Sequence, residues 1–498
     1  MNVNPITRLD YPDPDVIRVE DTYYMVSTTM HFMPGCEILQ SFDLVHWEHA
    51  TYVYETLDHT DAQQLKSGQN IYGQGMWAAS LRYHEGRFYI CFVANDTRKT
   101  YLYTSEKIDG PWKKQLIEGF YHDGSLLFDE DGRNYIVYGN DEIWITELNE
   151  DLTAPKKDGL HRLLVSDHKN PKLGYEGSHI QKINGYYYIF LIHSLRDRWM
   201  RTEACFYSDS LEGEFTGGDV LCDDRGYCGQ GVAQGGIVDT PDGKWYAMLF
   251  QDSGAVGRIP ILLPVTWKDH FPVFGQNGHV PEEIEVHSTR PGYIYQPLVG
   301  SDDFCNGLLP RWQFNHDPDP RYYHLDALQG TYTITTREVC TELTQAVNTL
   351  TQRMSYPSCA AEVTVDASAL KEGDVAGLCA LQGCYAAVGI TKHHGKYEVL
   401  MLDKKEDGIL DMTERTVVES HQMDFRLEAD FCNMKDEARC YYRVNKGDWL
   451  PIGTVHKLYF KLDHFTGCRF GLFCYAAEET GGSACFRDFK YYDVDEIS

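Results

Sequence analysis

The stretch DEDGRNYIVYG, residues 129–139, decides the fold, because four other segments repeat its pattern of a tight turn followed by an aromatic strand. The other copies are VEDTYYMVS (19–27), HEGRFYICF (84–92), KINGYYYIFL (182–191) and TPDGKWYAMLF (240–250). When Asp21 is aligned with glycines 86, 132, 185 and 243, the third residue on is always tyrosine, namely Tyr24, Tyr89, Tyr135, Tyr188 and Tyr246. Glycine reaches positive φ without a Cβ penalty, so each copy predicts the tip of a β-hairpin.

The spacing of the five copies predicts an all-β protein whose first part is a five-bladed β-propeller. The turns recur at intervals of roughly 46 to 65 residues. Four copies are followed by a second turn and a further strand, in SFDLVHWE (41–48), SEKIDGPWKK (105–114), TELNEDLTAP (146–155) and SDSLEGEF (208–215). A four-stranded unit that recurs at this spacing is typical of a propeller blade.

The strand before each hairpin tip is expected to line the central channel, and it carries chemically distinctive residues. Nine residues before each turn glycine, or eight before Asp21, stand Asp13, Trp77, Asp123, Glu176 and Gln234. Three carboxylates round one channel would repel each other, which favours a catalytic site over a purely structural ring.

Proline flanks the first of these acids on both sides, in YPDPD (11–15). We expect Pro12 and Pro14 to hold Asp13 in an extended conformation and so to preorganise its carboxylate. Asp15 shares strand parity with Asp13, so side-chain alternation leaves it open as the alternative. The flanking prolines favour Asp13.

Composition and charge exclude several classes of partner. The formal net charge of −29 over 498 residues would repel nucleic acid and anionic membranes, whereas it is compatible with a neutral sugar. No apolar run approaches the length of a membrane-spanning helix, and residues 1–14 show no basic segment followed by an apolar one. The 15 scattered cysteines form no CxxC pair. We therefore expect reduced thiols and a cytoplasmic protein.

The five-fold pattern stops after about residue 276, and a second domain follows. Residues 281–300 are a polar connector punctuated by proline and glycine. Beyond it, segments such as TYTITT (331–336), AAEVTVDAS (360–368) and YEVLMLD (397–403) alternate with period two, which predicts a β-sandwich. We place the propeller domain at 1–296 and the sandwich at 297–498. The sandwich could bind carbohydrate, but we favour a role in bracing the propeller and its pocket.

These motifs resemble glycoside hydrolase family 43, whose catalytic domain is a five-bladed propeller. The resemblance rests on YPDPDVIRVEDTYYMVSTT, GMWAASLRYHEGRFYI, DGSLLFDEDGRNYIVYG, YEGSHIQKINGYYYIF and the GGIVDTPDG segment, in order over about residues 4–275. The stretch from SDDFCNG (301–307) resembles the concanavalin-like β-sandwich that follows the propeller in many members.

The resemblance implies that Asp13 is the general base, Glu176 the general acid, and Asp123 the residue that orients the acid and tunes its pKa. Arg258 matches an arginine that contacts sugar hydroxyls, with a buried ion pair as the structural alternative. The family inverts configuration, so the base and the acid are expected to lie roughly 6.5–9.5 Å apart. A fixed anion at Asp123 would raise the cost of ionising Glu176 and keep that acid protonated near neutral pH.

Two aromatic residues are candidates to line the sugar site. We expect Trp77 to stack on the apolar face of a sugar ring, with a channel-filling core residue as the alternative. Phe32 follows the first strand pair and is a candidate to line the same pocket.

The chain departs from the family at two positions. Gly124 stands where proline is common, and Gln234 stands where many members have a histidine that in some helps to hold a central calcium ion. We therefore predict no metal ligands and no required cofactor, and Gln234 argues against a structural calcium.

The sequence predicts an exo-acting, inverting glycosidase that removes terminal pentoses from plant-derived xylo- or arabinoxylo-oligosaccharides, with β-1,4-xylosidase as the leading hypothesis. The alternatives are an α-L-arabinofuranosidase or bifunctional enzyme, a sugar-binding propeller without activity, and a retaining transglycosidase on a related fold. The sandwich also offers a packing face for a homo-oligomer.

Overall fold

The structure is a computed structural model that describes residues 3–461, 464 and 466–493. In those ranges it contains 36 β-strands and four single turns of 3₁₀ helix: Lys66–Gly68, Gly254–Val256, Leu343–Gln345 and Cys432–Met434. No helix in the described ranges has the length and apolar character needed to cross a membrane. The prediction of an all-β protein is confirmed.

Five antiparallel sheets follow one another along the first part of the chain, one for each repeat. Blade 1 contains β1 (Asp15–Val19), β2 (Thr22–Val26), β4 (Gly35–Ser41) and β5 (Glu48–Tyr54). Blade 2 contains β6 (Met76–His84), β7 (Arg87–Ala94), β8 (Lys99–Ser105) and β9 (Lys113–Ile117). Blade 3 contains β10 (Ser125–Phe128), β11 (Asn134–Asn140), β12 (Glu142–Leu148) and β13 (His161–Ser166).

Blades 4 and 5 complete the predicted propeller. Blade 4 contains β14 (Glu176–Ile183), β15 (Tyr186–Ser194), β16 (Arg201–Ser208) and β17 (Thr216–Leu221). Blade 5 contains β18 (Val232–Ala233), β19 (Ile237–Asp239), β20 (Trp245–Asp252), β21 (Arg258–Lys268) and β22 (Phe271–Phe274). Each repeat forms the hairpin between its blade's innermost strand and the next strand, and three of the aligned tyrosines are fully or almost fully buried: Tyr135, Tyr188 and Tyr246.

The N-terminal segment joins the first blade to the last. The backbone N–H of Ile6 donates to the carbonyl of Pro260 at 2.9 Å, and that of Tyr11 donates to the carbonyl of Arg258 at 3.0 Å. The Asn4 side chain exchanges two hydrogen bonds with the backbone of Leu262. Residues 4–11 therefore lie along β21 of blade 5 and lead directly into blade 1.

Two large sheets form the predicted β-sandwich. One sheet has the order β3 (Phe32–Met33), β23 (Gln313–Asn315), β26 (Leu350–Arg353), β35 (Arg469–Tyr475), β28 (Val375–Leu381), β29 (Ala386–His393), β30 (Lys396–Lys404) and β31 (Leu410–Val418). The other has the order β24 (Tyr323–Asp326), β25 (Thr331–Thr335), β36 (Ser483–Asp493), β27 (Ser358–Asp366), β32 (Gln422–Asp430), β33 (Glu437–Val444) and β34 (Leu450–Lys457). The proposed domain boundary at 296/297 falls between β22 and β23 and stays a prediction.

Buried polar contacts brace the propeller against the sandwich. Strand β3, which leaves blade 1, pairs with β23 of the sandwich. The Arg353 guanidinium of the sandwich lies 2.9 Å from the Glu37 carboxylate of blade 1, donates to the Asp10 carbonyl at 2.8 Å and packs over the Tyr11 ring at 4.1 Å. The sandwich therefore acts as the brace that we favoured.

Replacing Arg353 should destabilise the protein strongly. Both members of the Arg353–Glu37 pair are buried, so Arg353→Ala leaves a buried carboxylate with His49 as its remaining ionic partner. We expect the free energy of unfolding, measured by urea denaturation, to fall by about 3–5 kcal/mol.

A matched control is Arg321→Ala, which removes an arginine whose side chain is 75% exposed in its pair with Asp319. That variant should unfold at nearly the same urea concentration as the wild type. Equal losses in the two variants would contradict the bracing role of Arg353.

Candidate active site

The five positions predicted to ring the channel lie at or just before the start of the innermost strand of each blade. Their backbones share an unusual conformation. Positive φ occurs at Asp13 (53°), Asp123 (48°) and Gln234 (60°), and one residue further on in the other two blades, at Ala78 (26°) and Gly177 (65°). Residues in this left-handed region cluster at functional sites, where the surrounding structure offsets the strain.

The expected extended conformation of Asp13 is wrong. With φ of 53°, its backbone is left-handed. Pro14 disfavours the right-handed helical region for the residue before it, and aspartate tolerates the left-handed region better than most residues. The prolines therefore restrict Asp13, but in a different geometry.

Asp13 is a buried carboxylate with two strong partners. Its Oδ1 accepts a hydrogen bond from Arg258 Nη1 at 2.8 Å, and its Oδ2 accepts one from the Thr28 hydroxyl at 2.6 Å. The side chain is 6% exposed. The guanidinium and the hydroxyl hold both carboxylate oxygens in place.

Asp15 has a structural environment. Its Oδ2 lies 2.8 Å from Arg82 Nη1 and accepts the backbone N–H of Leu81, while its Oδ1 lies 3.1 Å from His179 Nδ1. Burial opposes ionisation, but Arg82 and His179 outweigh it and lower the pKa of Asp15 to about 2. Their partners therefore distinguish Asp15 from Asp13, which strand parity alone could not do.

Asp123 and Glu176 meet at a histidine that sequence reasoning did not single out. His122 Nε2 lies 3.5 Å from Asp123 Oδ2 and 3.6 Å from Glu176 Oε2. Asp123 Oδ2 also accepts the backbone N–H of Gly177 at 2.9 Å, and Glu176 Oε2 accepts a hydrogen bond from Asn140 Nδ2 at 2.9 Å. We call His122, Asp123 and Glu176 the acid cluster.

Charges within the acid cluster shift the pKa values of all three groups. Burial opposes the charge on His122, but Asp123 and Glu176 raise the pKa of the imidazole to about 9. Burial, with the charges of Glu176 and Asp13, raises the pKa of Asp123 to about 6 against the pull of His122. For Glu176, burial raises the pKa, but nearby His122, together with Arg201 and Arg258, holds it below the ordinary value.

The expectation that the pKa of Glu176 is raised is therefore wrong for the site without substrate. That expectation paired Glu176 with one fixed anion, Asp123, whereas the structure adds the cation His122 between the two carboxylates. Protons in such a cluster belong to the group as a whole, and apparent pKa values describe the set. A proton is present in the cluster near neutral pH, held chiefly on His122.

Of the two aromatic candidates for the sugar site, Trp77 lies at the acid cluster and Phe32 does not. The ring of Trp77 is half-buried and meets His122 edge-on at 6.2 Å, which places it beside the acid cluster. Phe32 is buried in the sandwich core, with the Arg469 guanidinium 3.4 Å above its ring. The structure therefore does not support Phe32 as a wall of the sugar site.

Gln234 has surroundings that do not fit a calcium ion. Its backbone N–H donates to Glu203 Oε2 at 2.7 Å, and its side chain packs so closely on Gly177 that a Cβ there would lie 2.7 Å from it. Burial raises the pKa of Glu203 well above its ordinary value, which disfavours the charged carboxylate that a hard cation prefers. We derive no step through calcium.

The donor atoms of the acid cluster lie within 4.8 Å of one another, which is close enough for a metal ion. His122, with a pKa of about 9, holds a proton at neutral pH that a metal ion would have to displace. The cluster therefore fits a store of protons better than a cation site.

A chain of buried charges leads to the arginine that binds Asp13. Arg201 Nε lies 2.7 Å from Asp252 Oδ2, and Asp252 Oδ1 lies 3.3 Å from Arg258 Nε. Arg258 also packs over the Phe250 ring at 4.7 Å and faces Phe460 of the sandwich at 5.8 Å. A sandwich loop thus reaches the arginine that holds Asp13.

Comparison with known proteins agrees with the fold. Residues 3–272 match the model of glycosyl hydrolases family 43, and residues 301–492 match the beta xylosidase C-terminal concanavalin A-like domain. The chain belongs to glycosyl hydrolase family 43 and is a glycoside hydrolase.

Three relatives illustrate the range of similarity. A beta-xylosidase of Formosa agariphila is 27% identical over 99% of this chain and 89% of its own. A non-reducing end alpha-L-arabinofuranosidase of Bacteroides ovatus is 26% identical over 66% of this chain and 63% of its own. The structure of a bifunctional GH43-CE protein of Bacteroides eggerthii superposes with a TM-score of 0.92 and 42% identity, over 98% of this chain and 63% of that one.

Removing the His122 charge should change the pH dependence of activity. The alkaline limb of kcat/KM reports loss of the essential acid's proton in the free enzyme. His122 holds the proton of the acid cluster near neutral pH, so His122→Phe should move that limb to lower pH in a pH–rate profile. The control His84→Phe removes a histidine that stacks on Phe128 at the other end of the inner strands, and it should leave the limb in place. An alkaline limb that moves to higher pH in His122→Phe would mean that Glu176 carries the essential proton itself and that His122 only stabilises its ionised form.

Proposed function

We propose that the protein is an inverting exo-glycosidase that removes terminal pentose residues from xylo- or arabinoxylo-oligosaccharides, most simply as a β-1,4-xylosidase. One observation carries the proposal. A carboxylate fixed by Arg258 and a proton-holding acid cluster face one channel mouth, close enough for the charge of Asp13 to raise the pKa of Asp123. These are the two functions that inversion divides between two acids.

Asp13 is the general base in this mechanism. Arg258 and Thr28 leave its carboxylate little freedom, so its oxygens meet an attacking water at fixed geometry. As water attacks the anomeric carbon, Asp13 accepts the proton.

Glu176 is the general acid, because it is the member of the acid cluster with the most exposed carboxylate, 20% against 8% for Asp123. Asp123 lies behind it and holds the backbone N–H of Gly177, the residue that follows Glu176. A glycosidic oxygen arriving at Glu176 displaces water and takes the proton that the cluster stores. Asp123 and His122 set how readily Glu176 gives up and regains that proton.

Trp77 offers the sugar an aromatic face beside this acid. Support for a pentose comes from relatives named beta-xylosidase, with the alpha-L-arabinofuranosidase name supporting the alternative substrate. The reaction as proposed uses no cofactor. All fifteen cysteines lie in the described ranges as free thiols, which supports a reducing, cytoplasmic compartment.

The choice of pentose is tested by assaying 4-nitrophenyl β-xyloside and 4-nitrophenyl α-L-arabinofuranoside side by side. We expect the larger kcat/KM on the xyloside. Proton NMR of the first product formed from xylobiose should show the α-anomer, because inversion changes the configuration of a β-linkage. A β-anomer would identify a retaining enzyme, and hydrolysis of neither glycoside would contradict the proposed function.

Glu176→Gln should separate an enzyme from a binding module. Without its acid, the enzyme should lose about 10²–10⁴-fold in kcat on xylobiose, whose leaving group needs protonation. An aryl glycoside with an acidic leaving group should lose much less. The control Glu212→Gln alters an exposed glutamate of the same blade and should keep full activity. Equal losses on both substrates would contradict the role of Glu176 as general acid.

A further inference from the structure

Trp199 is an exposed aromatic residue on the face of the propeller that carries the acids. Strand β14 starts at Glu176 and runs away from that face, and β15 returns to it, so residues 195–200 lie at the same end as Glu176. Glu176 pairs with Ile192 in the sheet, two residues before the strand ends. Trp199 is 46% exposed, an unusual state for so large an apolar side chain.

The loop that carries Trp199 is held in one conformation by hydrogen bonds within blade 4. The backbone N–H of Met200 donates to the Ser194 hydroxyl at 3.0 Å, and the N–H of Leu195 donates to the Met200 carbonyl at 3.1 Å. Arg196 forms an ion pair with the Asp167 carboxylate on the segment that leads into β14. The indole is therefore presented by a rigid support.

One side of the indole is already occupied. The Arg201 guanidinium lies over the Trp199 ring, 5.2 Å from its centroid, and also lies 5.4 Å from the centroid of the Phe250 ring. Arg201 is buried, is fixed by Asp252, and lies close enough for its charge to lower the pKa of Glu176. Trp199 therefore contacts Arg201, whose charge also acts on Glu176.

The chemistry of the leaving group indicates what covers the exposed indole. A general acid protonates the glycosidic oxygen on the leaving-group side, so the departing sugar lies next to Glu176. Trp199 stands on the same blade, at the same end and beyond that carboxylate. A pentose ring has an apolar C–H face that can cover an indole and exclude water from it.

We propose that Trp199 forms the subsite for the leaving-group sugar, stacking on the residue that is released when the terminal pentose is cleaved. This inference rests on the proposed function and adds a specificity role to it. The enzyme then distinguishes oligosaccharides from glycosides with small leaving groups by whether a ring covers Trp199.

The test compares Trp199→Ala on two substrates that share the terminal sugar. Xylobiose places a pentose over Trp199, whereas 2,2,2-trifluoroethyl β-xyloside has no ring in its leaving group. We expect kcat/KM on xylobiose to fall by about tenfold to thirtyfold and kcat/KM on the trifluoroethyl glycoside to change less than about twofold. Trp199→Phe keeps an aromatic face and should restore most of the activity on xylobiose.

The control is Tyr83→Ala, which removes a 44% exposed aromatic near the end of β6 that lies away from the acids. Tyr83→Ala should change kcat/KM on neither substrate. Trp199→Ala should unfold at the same urea concentration as the wild type. Equal effects of Trp199→Ala on both substrates, or no effect on either, would overturn the subsite while leaving the glycosidase intact. Wild-type protein that cleaves neither xyloside would overturn the proposed function, and the subsite with it.

Discussion

The contact between Arg258 and Asp13 is the one on which the propeller, the site and the sandwich all depend. Arg258 begins β21 in blade 5, and Asp13 lies just before β1 in blade 1, so their ion pair joins the two ends of the ring. The backbone N–H of Arg258 also donates to Asp10 Oδ1, and Asp10 Oδ2 accepts the N–H of Gly467 from the sandwich. The short segment from Asp10 to Asp13 thus connects blade 5, the candidate active site and the second domain.

This arrangement explains how carboxylates that repel each other can share one cavity. The charge of Asp13 is balanced by Arg258, and the charges of Asp123 and Glu176 are balanced by His122. Each cation is local to its own carboxylates, so the charges at Asp13 and in the acid cluster are balanced separately. A purely acidic ring would tend to equalise them by sharing protons.

The repeats allowed much of the fold and part of the site to be predicted from sequence. Tyrosines in phase identify hairpins because the strand period is fixed, and counting back from the turns locates inner-strand positions by the same regularity. That is why Asp13, Asp123 and Glu176 could be selected although they are far apart along the chain. The sandwich strands were predictable for the same reason, since their alternation is local.

Other features depend on contacts that no local pattern encodes. The influence of His122 depends on its distance to Glu176 on another blade, although its position beside Asp123 was a usable signal. Asn140 reaches Glu176 from the end of β11, with no distinctive motif around it. Phe32 lies in β3, which pairs with a strand of the sandwich. The repeats of the propeller do not predict how that second domain docks.

The bond from Gly467 to Asp10 spans 457 residues and has a consequence for biosynthesis. A polypeptide still emerging from the ribosome can complete all five blades and yet lack the donor that secures Asp10, three positions before Asp13. Truncated products would therefore form the propeller without the hydrogen bond from Gly467 to Asp10. Full activity would therefore require that the chain has been synthesised beyond Gly467 and that the sandwich has docked on the propeller.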